Sequence, residues 1–349
     1  MSVYARRERE ARRQAREFER LTKERAKMDE RARARHEVAA HENRIELLVS
    51  LHKECGEEWD WLRVAATLPP IKPAASAIHE ARFQQAWLIR PATEQAGFEA
   101  ELATAKENDR VADRAAQQRY VRAMQEWQKK LSLAVRIPTG DLTAYQEALQ
   151  EFSPLAELEE LGAEMEFTMH SASLFECCLT VKDSSVIPPE AKSLTSTGKL
   201  SVKDMPRARF HEIYQDYVCS AILRVARELF AILPIEHAIV TAVGEVLDTA
   251  TGKTADKPVL SMVVSRVELK ELQWEFLDPS DAISKMTHKG DFKASRKSGA
   301  FQAITALTPA VLKELPAAEA DFGVRLSRII LFREQIKAEH AALLERSLS

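Results

Sequence analysis

Apolar side chains are spaced in different ways along this chain, and each spacing predicts a different kind of element. Residues 6–66 contain no Pro and, apart from Gly56, no Gly, while Ala, Glu, Arg, Lys and Leu dominate; these residues lose least on entering a helix. The stretch predicts one very long helix, and at 1.5 Å per residue about 60 residues reach about 90 Å, more than a single globular core covers. In its second half Ile45, Leu48, His52, Cys55, Trp59 and Leu62 follow alternating steps of three and four, the seam along which two helices supercoil. Before residue 38 the sizeable apolar side chains after Tyr4 are Phe18, Leu21 and Met28. The second half therefore needs a partner helix, and the first half reads as exposed.

The linker Leu68-Pro-Pro-Ile-Lys-Pro73 ends this first region, residues 1–67, because proline fixes its own φ and disfavours helix in the residue before it. Past the linker, residues 68–75, a helical region runs over residues 76–161, broken near Pro91 and at Pro138-Thr-Gly140. Within it Phe98, Leu102, Ala105, Ala112, Ala116, Tyr120, Trp127 and Leu131 make a second heptad-like stripe. The simplest partner for the first seam is this one, in an antiparallel helical hairpin that a dimer could double.

From Gly162 the period changes to that of strands. In AEMEFTMHSASLFECCLTVK two short runs flank His170-Ser-Ala-Ser173, which predicts an antiparallel pair. RARFHEIYQDYVCSAILRVARELFAIL is helical and apolar nearly all round, so it belongs against a sheet and under cover. HAIVTAVGEVL and PVLSMVVSRV are β-branched runs joined by Asp248-Thr-Ala-Thr-Gly-Lys253, a third and a fourth strand with Gly252 in the turn. LDPSDAISKM starts a helix with Asp278 or Ser280 as N-cap, and SGAFQAITAL is a candidate further strand. The expected fold class is α+β: a long N-terminal helical coiled-coil or hairpin region, a ββαββ head over residues 162–306, and a C-terminal helical segment, residues 307–349, with a stripe of Phe322, Leu326, Ile329, Ile336, His340 and Leu343. Residues 186–210, polar and led by Pro188 and Pro189, read as the loop that crosses from the first strand pair to the central helix.

Charge changes this picture little. The 50 Lys and Arg nearly balance the 53 Asp and Glu, for a net charge of -3, so the chain as a whole has no electrostatic bias towards nucleic acid or an anionic membrane. Locally, residues 1–35 carry 13 basic against 7 acidic side chains. No run reaches the roughly 20 apolar residues of a membrane span, and no apolar h-region follows the N-terminal charges, so a cytoplasmic protein without a membrane partner is expected. The cysteines, Cys55, Cys177, Cys178 and Cys219, form no CxxC pair and read as reduced structural thiols, with no metal-ligand set.

Four groups of residues carry candidate chemistry. Asp183, Glu190 and Lys192 form an acid followed by Glu-x-Lys, which resembles the set that PD-(D/E)xK nucleases use; the resemblance, limited to these three residues, implies carboxylates holding Mg²⁺ and a lysine near the scissile phosphate. STGKLS and TATGKT lack the leading glycine of a phosphate loop, with Ser193 and Leu247 in its place, and HEIYQ has Gln215 where the zinc-protease helix motif needs its second histidine. His211, Glu212, Tyr214, Asp216, Arg224, Arg227 and Glu228 crowd one apolar helix; buried charges must pair, so they form either an internal network or the lining of a cleft. Lys289, Lys293, Arg296 and Lys297 cluster around Phe292 and are candidates for gripping phosphates.

These readings predict a non-enzymatic coiled-coil interaction or scaffold protein whose α+β head binds a partner within a larger cytoplasmic assembly, with a second copy of itself and another protein as partners and no cofactor. The alternatives are a metal-dependent nuclease using Asp183, Glu190 and Lys192, and a nucleic-acid-binding protein using the basic segments.

Overall fold

The computed structural model describes residues 2–75, 77–90, 97–153, 164–248, 251–296 and 299–313, with the backbone alone for residues 2–18, 248 and 313. Lys297 and the C-terminal stripe from Phe322 to Leu343 lie outside the described residues. The chain divides into two compact units, one built on Met1–Glu58 and Leu149–Ala318, the other on Trp59–Ala148.

The first unit is a mixed α/β body around a five-stranded sheet. Strands β1 (Glu164–Met169), β2 (Leu174–Thr180), β5 (His237–Asp248), β6 (Lys253–Ser265) and β7 (Thr287–Lys289) lie in that order across it. Only β2 and β5 run parallel; the other neighbours are antiparallel. The β1–β2 turn is closed by the Ser171 hydroxyl, which accepts the amides of Ser173 and Leu174 at 3.2 and 3.1 Å, and the β5–β6 turn by Gly252 at φ +67°. Pro258 has no amide proton to give a ladder, and it sits where the β5–β6 register shifts, opposite Val243.

Both faces of the sheet are covered, which is why its middle strands read as unbroken apolar runs. One face presents the fully buried Phe175, Cys177, Leu179, Ala238, Val240, Ala242 and Met262. The central helix, α6 (Arg207–Ile232), lies on this side, where the Tyr214 hydroxyl stands 3.6 Å from the position a Gly244 side chain would take. On the opposite face Leu174, Ile239 and Val263 pack with Leu307, Val311 and Leu312. Over residues 217–232 every position of α6 is buried except Arg227, the pattern of a helix with cover on all sides.

Helix α1 (Ser2–Val49) ends well before the expected Ala66. A 3-10 turn at Leu51–Lys53 follows, then extended chain, then the short α2 (Trp61–Ala65). Of the expected seam only Ile45 and Leu48 lie on α1, and His52, Cys55, Trp59 and Leu62 fall beyond its end; with Ala34, Val38 and His41 the two make a buried or half-buried face of α1, which packs on α6 and on a second sheet. That second sheet corrects the reading of residues 186–210 as a loop: β3 (Glu190–Leu194) and β4 (Leu200–Asp204) pair antiparallel through a tight turn with Gly198 at φ +78°. The hairpin clasps α1. Arg31 Nε donates to Thr197 O at 3.1 Å, Lys192 reaches Glu37 at 3.3 Å, and Lys199 reaches Glu30 at 3.6 Å. Residues 301–308 are not a strand either; the segment joins the sheet through Ile304 N donating to Pro258 O.

In the second unit α3 (Ile78–Leu88) and α4 (Phe98–Arg136) form an antiparallel pair within the helical region itself, not the expected hairpin between that region and the first seam. Ala77 occupies the N-cap position of α3 and its side chain cannot accept a hydrogen bond, so the buried Asp109 of α4 does so in its place, taking the amides of His79 and Glu80 at 2.9 Å each. Phe83, Trp87 and Phe98 meet with ring centroids 5.0 to 5.5 Å apart, and Trp127 of α4 donates to Thr67 O, just past α2. Helix α5 (Leu142–Phe152) follows. Among the described residues no helix is long and apolar enough to cross a membrane.

Two substitutions separate the core from the clasp. Ile222 has no solvent exposure, so Ile222→Asp leaves an unpaired charge in the core and should abolish the cooperative unfolding transition, at a cost of several kcal/mol. Lys192→Ala removes a partly exposed ion pair and should cost less than about 1 kcal/mol. Denaturant titrations followed by near-ultraviolet circular dichroism check both; a cooperative transition in the Ile222→Asp variant would show that α6 is not the core.

Candidate functional site along the central helix

Helix α6 carries polar side chains at both ends, and the sheet and the chain after α1 build a different environment around each. At the N-terminal end Phe210, His211 and Tyr214 form one wall of a cleft of about 160 Å³. Gly244, Glu245, Val246 and Leu247 of β5, Thr254 and Val259 of β6, Asp183 with Ser184, and Gly299 to Phe301 complete it. The loop wall is tied to the helix by His211 Nδ1, which donates to Ala294 O at 2.9 Å, and by Gln215 Nε2, which donates to Ala300 O at 2.6 Å. Tyr214 donates its hydroxyl to Lys182 O at 2.9 Å, and burial, aided by Tyr217 and the carboxylates of Asp183 and Glu245, holds the phenol above its usual range. Asp183 accepts the Ser185 amide at 2.8 Å and is held below the usual carboxyl range by Ser185. This end therefore keeps a neutral phenol beside an ionised carboxylate.

One turn further on, Asp216 faces Ser280 at the start of α8 (Pro279–Ser284). Asp278 N-caps that helix, accepting the amides of Ser280 and Asp281. Burial pushes the Asp216 carboxyl up to about 6, the Ser280 hydrogen bond opposes it, and the charges of Asp278 and Glu212 add to it. Glu212 itself is exposed and pairs with Arg209 at 2.7 Å.

The C-terminal half of α6 holds a buried ionic network around residues 50–58. Arg224 Nε donates to Glu228 Oε1 at 2.7 Å, the Glu228 side chain having no exposure, and the same oxygen accepts the Gly56 amide at 2.9 Å. Glu228 Oε2 has no hydrogen-bond partner among the described residues. Glu54 adds a looser contact to Arg224 at 3.6 Å. Arg227 donates to the carbonyls of His52 and Lys53 and lies 4.2 Å above the Trp274 ring. The Ser220 hydroxyl accepts the His52 amide and contacts its Nδ1, each at 2.9 Å, while His52 Nε2 has no hydrogen-bond partner among the described residues. Burial, with the charges of Lys53 and Arg227, keeps His52 below its usual pKa and therefore neutral at pH 7. The Cys55 thiol is pushed up to about 11 by burial and by Glu228. Burial raises Cys177, Cys178 and Cys219 as well, so the four sulfurs are thiols, weak as nucleophiles. Just past the helix end Arg266, the first residue of α7 (Arg266–Lys270), donates to Leu233 O and Ile235 O, carbonyls of the segment that leads from α6 into β5.

The other sequence candidates are placed separately. Glu190 is exposed at the first position of β3, opposite Asp204. Asp183 caps the turn at Ser185, and Lys192 is held by Glu37 of α1. Among the described residues no group of three or more His, Cys, Asp or Glu is arranged to hold a metal ion. In the basic loop Arg296 grips both carboxylate oxygens of Asp291, Lys293 lies 4.0 Å from the same group, and Lys289 ends β7 opposite Ser261. Sequence reasoning grouped all seven polar residues of α6 into one cleft or network. The helix separates His211 and Tyr214, which line the cleft, from Arg224, Arg227 and Glu228, which hold residues 50–58. The cleft's other wall, Glu245 and Phe301, gave no sequence signal, because strand and loop residues distant in sequence meet there only through the sheet.

Comparison of the chain with protein-family models, with curated proteins and with solved structures found no match. The functional reading rests on the residues themselves.

Glu228→Gln removes the nearer of the two carboxylates that Arg224 contacts, leaving the looser Glu54 contact at 3.6 Å, and should destabilise the first unit by about 3 kcal/mol, whereas the double change Arg224→Met with Glu228→Leu should recover most of that loss. Denaturation midpoints measure both, and a cost below about 1 kcal/mol for Glu228→Gln would mean the network does not hold the segment. Asp216 yields a pH test. Its folded pKa of about 6 exceeds its ordinary 3.8, so between these values the folded chain keeps a proton that the unfolded chain releases, and stability rises as pH falls through the window. Asp216→Asn retains an acceptor for Ser280 and should be more stable than the parent at pH 7, the difference vanishing near pH 4; a difference that does not change with pH would contradict the assignment.

Proposed function

We propose that this chain is a non-enzymatic interaction protein: its mixed α/β head anchors one half of a long helix and holds out the other half, and the chain self-associates through its helices and binds a partner protein within a larger assembly. The observation that supports this is the division of α1. Every residue from 19 to 33 is exposed, while Ala34, Val38 and Leu48 are buried. The β3–β4 hairpin fixes the boundary, since Glu30, Arg31 and Glu37 all contact it.

A helical arm of this kind is poorly stabilised by itself. Its intrahelical pairs, Lys23 with Glu19 and Arg20 with Glu24, are exposed, worth about 0.3–0.5 kcal/mol each. Isolated helices are marginal in water, and most helical stability in proteins comes from tertiary packing. Leu21 and Met28, seven residues apart, are both exposed, as they would be on a helix whose partner is another chain. The side chains with candidate chemistry have structural partners instead: Lys192 is held by Glu37 and Arg296 by Asp291.

Light scattering coupled to size-exclusion chromatography tests the reading. At micromolar concentration the full chain should show a mass above its 39.3 kDa, and a variant lacking residues 2–29, which keeps every hairpin contact to α1, should retain its unfolding midpoint and lose mass. A full chain that runs as a monomer, or a shortened chain that associates equally well, would contradict it.

A further inference from the structure

The cleft at the N-terminal end of α6 has a lining chemistry that the interaction reading does not use. Its walls mix aromatic and aliphatic side chains with polar groups: Tyr214 and Phe301 meet edge to face at 6.0 Å and 68°, with Phe210, Ser184 and Thr254 also in the lining. Its charged lining residues are Asp183 and Glu245, and no Lys or Arg lines it among the described residues. Three polar groups of the walls are already committed: Tyr214 to Lys182 O, His211 Nδ1 to Ala294 O, and Gln215 behind the wall to Ala300 O. A ligand would thus meet aromatic rings, aliphatic carbon and two carboxylates, with the Ser184 and Thr254 hydroxyls beside them.

Each class of ligand can be weighed against that lining. An anion would be repelled by both carboxylates. A bare metal ion needs several converging donors, and no such group exists among the described residues. A nucleotide or other drug-sized molecule occupies roughly 300–1,000 Å³, and the cleft offers about 160 Å³. An alkylated ammonium suits all three features, because its methyl groups contact carbon and ring faces while its diffuse charge is attracted to aromatic quadrupoles and carboxylates. The geometry points to a binding site for a small alkylammonium group, either a free molecule such as choline or a methylated lysine side chain. This goes beyond the proposed scaffold role and does not depend on the exposed arm.

Saturation-transfer NMR on the full chain tests it with three probes: choline, its neutral carbon isostere 3,3-dimethylbutan-1-ol, and a short peptide with one trimethyl-lysine. Choline should bind with a dissociation constant of about 1 mM or tighter, and the isostere at least about fivefold more weakly, in line with the cation–aromatic contribution. Asp183→Asn with Glu245→Gln keeps the shape of both groups and the Ser185 cap, so the protein should unfold at the same midpoint yet lose about tenfold in choline affinity. Tighter binding of the peptide than of choline identifies a side chain as the natural source, and the reverse order a free molecule. Equal binding of choline and its neutral isostere, undiminished choline binding by the double variant, or no transfer to choline at about 20 mM would each overturn the site.

Discussion

The structure depends on one constraint: over residues 217–232 α6 has cover on all sides and yet carries Arg224, Arg227 and Glu228. Charges in such a place must find partners or the helix cannot be buried. Arg224 and Glu228 satisfy each other, and the remaining capacity of both side chains, with that of Arg227, is directed at the chain that follows α1. The backbone of residues 52, 53 and 56 supplies carbonyls to the arginine and an amide to the carboxylate. That exchange draws the chain out of helical geometry near Ser50 and lays it on α6. The β3–β4 hairpin holds α1 further along, at Glu30, Arg31 and Glu37.

Where the sequence was legible, the reason was local. The alternation around His170-Ser-Ala-Ser173 marked a strand pair, the β-branched runs around Gly252 marked another, and Asp278 before Pro279 marked a helix start; each appears where expected. The all-round apolar character of α6 signalled enclosure in the same way. The misreadings came from tertiary contacts overriding local preference. No residue at positions 49–51 breaks a helix; just past the end of α1, Ser220, Arg227 and Glu228, far away in sequence, take backbone groups of residues 52, 53 and 56 that a continuing helix would use. The β3–β4 hairpin is rich in Ser, Thr and Lys and follows two prolines, so it looked like a loop; its strands are stabilised by lying against α1. The heptad spacing was present on α1, but spacing does not name the surface that it faces.

The same argument bears on the candidate site. The residue types were legible, and the grouping was not. Asp183, Glu190 and Lys192 lie close in sequence, yet one caps a turn, one is exposed at a strand start and one pairs with α1. The cleft draws instead on Tyr214, Glu245 and Phe301, which share no sequence pattern and meet because β5 runs beside α6. The head thus combines an enclosed helix, a small cleft with acidic and aromatic side chains at one end of it, and a hairpin that clasps α1 at Glu30, Arg31 and Glu37, where its exposed residues 19–33 end.

Amide hydrogen exchange measures this arrangement most directly. Enclosure of α6 and capture of residues 50–58 predict that amides of residues 217–232 exchange only through global unfolding and that the Gly56 amide is protected to a comparable degree, while residues 2–29, measured at a concentration low enough to keep the chain monomeric, exchange within seconds to minutes. Rapid exchange at Gly56 with slow exchange in α6 would contradict the claim that the buried ionic network fixes the path of the chain. Protection of residues 2–29 equal to that of α6 in the isolated monomer would contradict the claim that this half of α1 is held out from the head.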